Sequence, residues 1–226
     1  NDFYKFINLY PKRIYECDAV PIGMLMNDGN INIDSLNMCD GFLIPGGKKV
    51  EKYVYETIYY ALKNNKPILG ICLGSQSLAI FSAILERLDN NKEYTDLEII
   101  EIYQKLKEEN NGTLLRLIPE PNIHTLKVNT SEGIINNTHG IKINKDSILY
   151  DIYRQEEINV VSMHKNDYKH VGKDFKVTAY AEDGVSEALE YDNKNYFILG
   201  VNYHPEIIED NRLFERLIQE AKNRKE

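Results

Sequence analysis

The residue best placed for chemistry is the cysteine at the apex of Gly70-Ile71-Cys72-Leu73-Gly74. The apolar run Pro67-Ile68-Leu69 leads into it, and Gln76-Ser77-Leu78-Ala79-Ile80-Phe81 leads away. That order reads as strand, tight turn and helix. A G-x-nucleophile-x-G turn forces its central residue into a strained, exposed position at a helix N-terminus. There the helix dipole and free backbone N–H groups favour a thiolate. A thiolate nucleophile needs a base, and the base needs an orienting group. Tyr203-His204-Pro205-Glu206 supplies both. In extended chain, residues i and i+2 point to the same side, and Pro205 fixes the backbone between them. His204 can therefore face Cys72 while Glu206 holds the imidazole, which makes a triad. Taken singly, a cysteine after a strand is ordinarily a small buried residue, and His-Pro-Glu is ordinarily a turn. Their joint occurrence with correctly placed glycines favours chemistry.

Only a fold can bring Cys72 and His204 together, so the elements around them matter. Lys12 to Cys17 reads as a short helix, with Pro11 suited to its first turn. Val20 to Met26 reads as a strand and Asn27-Asp28-Gly29-Asn30 as a turn. Gly41 to Ile44 reads as a strand. Val50 to Asn64 carries Val50, Val54, Ile58 and Leu62 at i, i+4 spacing and reads as an amphipathic helix. Pro67 to Ile71 is the strand feeding the cysteine, and Ser75 to Leu88 the helix leaving it. Strand and helix in alternation imply a parallel sheet with helices on both faces. Such sheets hold ligands at the carboxyl ends of their strands, where Gly46-Gly47 and Cys72 both fall.

The later part is richer in strands: Ile158 to Met163, Phe175 to Ala181, Val185 to Tyr191 and Tyr196 to Asn202, with Asp192-Asn193-Lys194-Asn195 as a hairpin-type turn. These should extend the sheet or form a small antiparallel layer beside it. Ile207 to Lys222 reads as a closing helix with Leu213, Leu217 and Ala221 inward. Tyr94 to Asn110 is charged but has helical spacing at Leu97, Ile100, Ile102, Tyr103 and Leu106; an ordinary surface helix is the favoured reading over a lid or a partner-binding helix. There are no internal repeats and no dividing linker, so 1–226 is expected to be a single domain.

The chain has 226 residues, 42% hydrophobic and 27% charged, with a formal net charge of −8. An acidic chain without a basic run is a poor ligand for nucleic acid or anionic membranes. Three cysteines, Cys17, Cys39 and Cys72, are odd in number and lack metal-type spacing, so neither a disulfide framework nor a zinc site is indicated. A free, reactive Cys72 suits a reducing compartment such as the cytoplasm. No apolar run approaches the roughly 18 residues of a membrane span, and no secretory leader opens the chain.

Gly70 to Gly74, Gln76 and His204-Pro205-Glu206 resemble the class I glutamine amidotransferase family. Pro45-Gly46-Gly47, after Gly41-Phe42-Leu43-Ile44, resembles that family's oxyanion loop. Val160-Val161-Ser162-Met163-His164, the run from Ala179 to Ala188, and Leu199 to Glu206 resemble its γ-glutamyl-γ-aminobutyrate hydrolase branch, the C26-type peptidases. The resemblance runs from about Pro11 to about Glu206 with a gap near 87–123, where residues 90–121 look like an insertion. It implies an α/β, three-layer, flavodoxin-like fold: a mostly parallel central sheet with helices on both faces and a small antiparallel β layer. The family's first strand is expected to be absent, since Asn1 to Leu9 begins after that strand should have ended.

The resemblance also implies roles. Cys72, His204 and Glu206 would be catalytic. The amides of Gly47 and Leu73 would form the oxyanion hole. Gln76, Ser162, Met163 and His164 would border the γ-glutamyl group, His164 as a structural or substrate-orienting residue and not a second base. His124, His139 and His170 have no motif support and read as surface or loop residues. Asp183-Gly184 reads as a turn, and Glu187 recurs in the family without evident chemistry. Leu73 stands where the branch usually has arginine, Lys48-Lys49 replaces a longer acidic loop, and Lys165 and Asn166 replace a histidine and a glutamine. These differences alter the pocket and spare the triad, so the branch's own substrate is not carried over.

The leading expectation is a hydrolase that releases glutamate and an amine from a γ-glutamyl amide. The alternatives are a glutaminase subunit delivering ammonia to a separate synthase, and a non-catalytic binding module on the same fold. No cofactor or metal is implied. The expected partners are a small γ-glutamyl substrate or glutamine, with a second copy or a synthase as the protein partner.

Overall fold

The computed structural model describes residues 8–25, 31–89, 92–119, 122–125, 127–129, 133–135, 138–208 and 210–224. The expected turn at Asn27 to Asn30, and Met26 before it, lie outside these. In chain order the elements are α1 (Leu9–Glu16), α2 (Ile33–Asn37), β1 (Phe42–Ile44), α3 (Lys52–Lys63), β2 (Ile68–Ile71), α4 (Leu73–Leu85) and α5 (Asp96–Glu109). Then follow β3 (Leu115–Leu117), β4 (Lys127–Asn129), β5 (Gly133–Ile135), β6 (Thr138–Ile143), α6 (Ile148–Tyr153), β7 (Glu157–Val161) and β8 (Asn166–Tyr168). The chain closes with β9 (Phe175–Ala181), β10 (Ser186–Tyr191), β11 (Ile198–Val201) and α7 (Arg212–Asn223). No helix among the described residues is long and apolar enough to cross a membrane.

Seven strands form one sheet in the order β1-β2-β11-β10-β9-β6-β7. β1, β2 and β11 run parallel. β10, β9, β6 and β7 continue the sheet antiparallel. The late strands thus extend the sheet, one of the two arrangements expected for them. Residues 20–25 form no strand. Val20, Ile22 and Leu25 are exposed, so this apolar stretch lacks the covering surface that would make a strand worth pairing.

Side chains alternate across the sheet. Phe42, Ile44, Ile68 and Ile198 join one core with Leu36, Ile58, Leu78, Phe81 and Ile99, which brings α2 to α5 onto that face. Leu69, Ile71, Leu199 and Val201 join the other with Tyr10, Leu149, Tyr153, Leu213, Phe214 and Leu217, from α1, α6 and α7. Each fully buried side chain of this size contributes about 1.5–3 kcal/mol of hydrophobic stabilisation. In α3 the buried apolar positions are Tyr55, Ile58 and Ala61. The helix has turned from the expected stripe, so that Val50, Val54 and Leu62 pack only at its margin. The expected surface helix, α5, is half-buried, with Ile99 and Leu106 inward, Tyr103 stacked 4.7 Å from Tyr55, and Leu97 left in solvent. A capping box at Thr95 and Glu98 starts it.

On the α3/α4 face, β2 and β11 carry adjacent glycines where α4 begins. Ile44, Gly70 and Gly200 are in register across β1, β2 and β11. α4 begins on this row. A Cβ on Gly70 would stand 2.8 Å from the Gly74 carbonyl group, and one on Gly200 would overlap the Ser75 hydroxyl. A Cβ on Gly74 would overlap the Ile44 carbonyl oxygen. The helix therefore lies directly on backbone, and Gly74 to Ile84 are all buried. Gly74→Ala is expected to cost about 3 kcal/mol or more through overpacking against backbone. Gly112→Ala, at φ +83° in open space, should cost only about 1–2 kcal/mol of conformational strain. Urea denaturation of the two variants measures the difference.

Candidate functional site

The strand-to-helix turn places Cys72 at φ 52°, ψ −107°, a conformation that side chains rarely adopt. Its amide donates to the Val201 carbonyl at 2.8 Å and its carbonyl accepts from Gln76 at 3.0 Å. The residue is thus clamped between β11 and the first turn of α4. The expected elbow is present, but Cys72 is only 8% exposed, because the Pro45-Gly46-Gly47 loop lies against it. A Cβ on Gly46 would meet Tyr10 Oη at 3.0 Å, His204 Cε1 at 3.1 Å and Cys72 Cβ at 3.3 Å. A side chain at Gly46 would press on all three neighbours at once.

His204 follows β11, the strand beside Cys72's own. Its amide donates to the Val161 carbonyl at 2.8 Å, which fixes the turn from β7. His204 Nδ1 lies 2.6 Å from Glu206 Oε1, with both residues buried. Burial works against the imidazolium, but the contacts with Cys72 and Glu206 outweigh it and raise His204 to about 10. The structure therefore brings Cys72, His204 and Glu206 together. The amides of Gly47 and Leu73 have no hydrogen-bond partner among the described residues, so both remain as donors.

Two residues of α1 support this arrangement with no motif to announce them. Tyr10 Oη accepts the Gly46 N–H at 3.0 Å. Arg13 Nε donates to the Glu206 carbonyl at 3.2 Å and Nη1 donates to Glu16 at 2.8 Å. Burial first, and then the Glu206 charge, push the Tyr10 hydroxyl well above its usual range. The one available signal was the i, i+3 spacing of Tyr10 and Arg13, which puts both on one buried helix face.

The residues expected to border the substrate are more dispersed in their contacts. Gln76 is buried and donates through Nε2 to the Asn166 carbonyl at 3.2 Å. Ser162 is fully buried with its hydroxyl unpartnered, and Met163 is half-buried. His164 turns to Glu187, with Nε2 at 3.2 Å from Oε1. His170 is exposed, as expected, and meets Glu86 at 2.7 Å. His124 and His139 are not surface residues: both are buried, and both converge with His164 on Glu187. Asp183-Gly184 does form a turn, and Asp183 Oδ2 also reaches His124 Nε2 at 2.9 Å. The positions from 124 to 187 follow no spacing rule, and β10 is buried on both faces, so neither motif nor alternation marked His124 and His139 as partners of Glu187.

The family model of Peptidase C26 matches residues 51–206, from the start of α3 to Glu206. The chain belongs to the peptidase C26 family. It is also similar to the CTP synthase of Methanosphaera stadtmanae, 29% identical, over 92% of this chain and 39% of that one. This chain spans about two fifths of that relative's length. A glutamine amidotransferase-like protein of Rickettsia prowazekii is 26% identical over 97% of this chain and 90% of its own. The solved glutaminase domain of Trypanosoma brucei CTPS, with bound acivicin, superposes with a TM-score of 0.68 at 19% identity, covering 98% of this chain and 90% of that one. Membership in the C26 family makes amide C–N hydrolysis of the glutamine amidotransferase type the chemistry of this fold.

Tyr10→Phe should leave the Gly46 N–H without its partner and lower stability by about 1–2 kcal/mol. Tyr15→Phe, on the exposed side of the same helix, should leave it unchanged. Chemical denaturation compares the two.

Proposed function

We propose that this chain hydrolyses a γ-glutamyl amide bond through a γ-glutamyl thioester on Cys72. The observation that carries the reading is the strained Cys72 at the head of α4, closed on by a His204 that Glu206 holds at 2.6 Å. Cys72 Sγ attacks the side-chain carbonyl carbon, and the carbonyl oxygen takes up negative charge facing the Gly47 and Leu73 amides. Each such donor is typically worth about 3 kcal/mol of barrier. The C–N bond breaks as His204 gives its proton to the leaving amine. Water then adds to the thioester with His204 as base, glutamate leaves, and the thiol is restored. Gln76, Ser162, Met163 and His164 are assigned to the substrate side of this site.

A second reading is favoured by one observation: 92% of this chain is similar to part of a CTP synthase. On that reading the site is a glutaminase whose ammonia serves a synthase partner. Glutamate release from L-glutamine and a panel of γ-glutamyl amides separates the two. Release from the isolated chain, abolished in Cys72→Ala, supports the hydrolase. Release that appears only with a synthase supports the subunit, and release under neither condition removes both.

The raised His204 pKa gives a pH dependence with a definite sign. The proton needed by the leaving amine is held below about pH 10 and lost above it. Single-turnover amine release should therefore fall on the alkaline side near pH 10. Removing the Glu206 charge in Glu206→Gln should move that limb to lower pH.

A further inference from the structure

The cluster around Glu187 has too few protons for its contacts. His124 faces Asp183 Oδ2 through Nε2 at 2.9 Å and Glu187 Oε1 through Nδ1 at 2.9 Å. His139 faces the Gly140 carbonyl through Nδ1 at 3.2 Å and Glu187 Oε1 through Nε2 at 3.4 Å. His164 faces the Asn166 carbonyl through Nδ1 at 3.0 Å and Glu187 Oε1 through Nε2 at 3.2 Å. Every ring nitrogen meets an oxygen that only accepts. A neutral imidazole carries a single N–H, so half of these contacts would set lone pair against lone pair. Charging all three rings would crowd cations whose centroids stand 4.6 and 4.9 Å from one another in a buried site. Geometry adds a second sign. His124 Nδ1, His139 Nε2 and Glu187 Oε2 are buried and make no aligned hydrogen bond.

We propose that His124, His139 and Glu187 bind a divalent transition-metal ion of the zinc class, with His164 holding the Glu187 carboxylate beside it. One donor atom from each of the three residues lies within 4.8 Å of the others. In a tetrahedral zinc site with bonds of about 2.0–2.1 Å the donors stand about 3.3 Å apart. The 2.9 and 3.4 Å separations from Glu187 to the two ring nitrogens bracket that value. Two imidazoles and one carboxylate suit zinc-class ions, whereas calcium and magnesium take oxygen donors. Asp183 on His124 and the Gly140 carbonyl on His139 fix the rings with the inner nitrogen free to ligate.

The ion would tie the 122–125 loop, β6 and β10 at one point. The His164 amide donates to the His124 carbonyl at 2.9 Å, and the Asn202 amide to the Glu187 carbonyl at 2.8 Å. The metal site thus backs both the Ser162-Met163-His164 segment and the strand end leading to His204. It is independent of the hydrolase reading, and its test needs no turnover.

Chelator-treated full-length chain is titrated with Co2+ and then Zn2+, with Cys72→Ala as the parent so that this thiol cannot compete. The expected result is one equivalent of cobalt with tetrahedral d–d bands and no sulfur-to-cobalt charge-transfer band, displaced by zinc. His139→Gln should bind at least tenfold more weakly, with unchanged metal-free circular dichroism. Asp183→Asn, which frees the His124 ring, should weaken binding about 10–100-fold. No saturable binding at micromolar metal would overturn the proposal, as would a thiolate charge-transfer band or unaltered affinity in His139→Gln. If His139→Gln does not fold, the parent spectrum and Asp183→Asn decide.

Discussion

The site depends on one close approach, that of the first turn of α4 to the backbone of three parallel strands. Gly70 and Gly200 leave no side chain between β2, β11 and the helix, and Gly74 leaves none where the helix meets the Ile44 carbonyl. The chain must therefore reverse within a single residue after β2. That residue is Cys72, and its positive φ is the geometric cost of the reversal. Burial of α4 along its whole length offsets the strain. The glycines flanking the cysteine thus serve packing first, and the exposed helix N-terminus under the thiol follows from it.

The opposite face of the sheet completes the arrangement. α1 and α7 cover β2 and β11 there, and α1 reaches around to the site. Tyr10 holds the Gly46 loop and Arg13 the Glu206 backbone. Cys72 is thereby braced by α4 and Glu206 by α1, while the His204 amide is held by Val161 of β7. None of these supports is exposed to solvent, so water does not compete for their hydrogen bonds.

How much of this could be read in the sequence follows from how local each signal is. The nucleophile turn and His204-Pro205-Glu206 are short segments whose geometry their own residues dictate, and the structure brings them together. Phe175 to Ala181 keeps its expected bounds because Phe175, Val177, Thr178 and Tyr180 give the segment a strand preference. Residues 20–25 have strand-like composition but no neighbour to pair with, and pairing is a tertiary property. Tyr10, Arg13 and the convergence of His124 and His139 on Glu187 lay beyond sequence reading for a related reason, although the family resemblance marks His164 and Glu187. Their partners come from distant segments, and a polar side chain far from any motif reads as surface until the fold buries it.

The pairing of β2 with β11 has a temporal side. Those strands are neighbours in space, Ile68 pairing with Ile198, but lie far apart in the chain, and the segment between them contributes the whole antiparallel part of the sheet. Contacts of such long sequence separation form late, because the loop must close before they are rewarded. On a growing chain, synthesised from the N-terminus, Cys72 emerges well before His204 exists. Until Val201 docks and accepts the Cys72 amide, the thiol has neither its clamp nor its imidazole. The nascent polypeptide thus carries an unclamped cysteine, and the site proposed for it exists only in the completed fold.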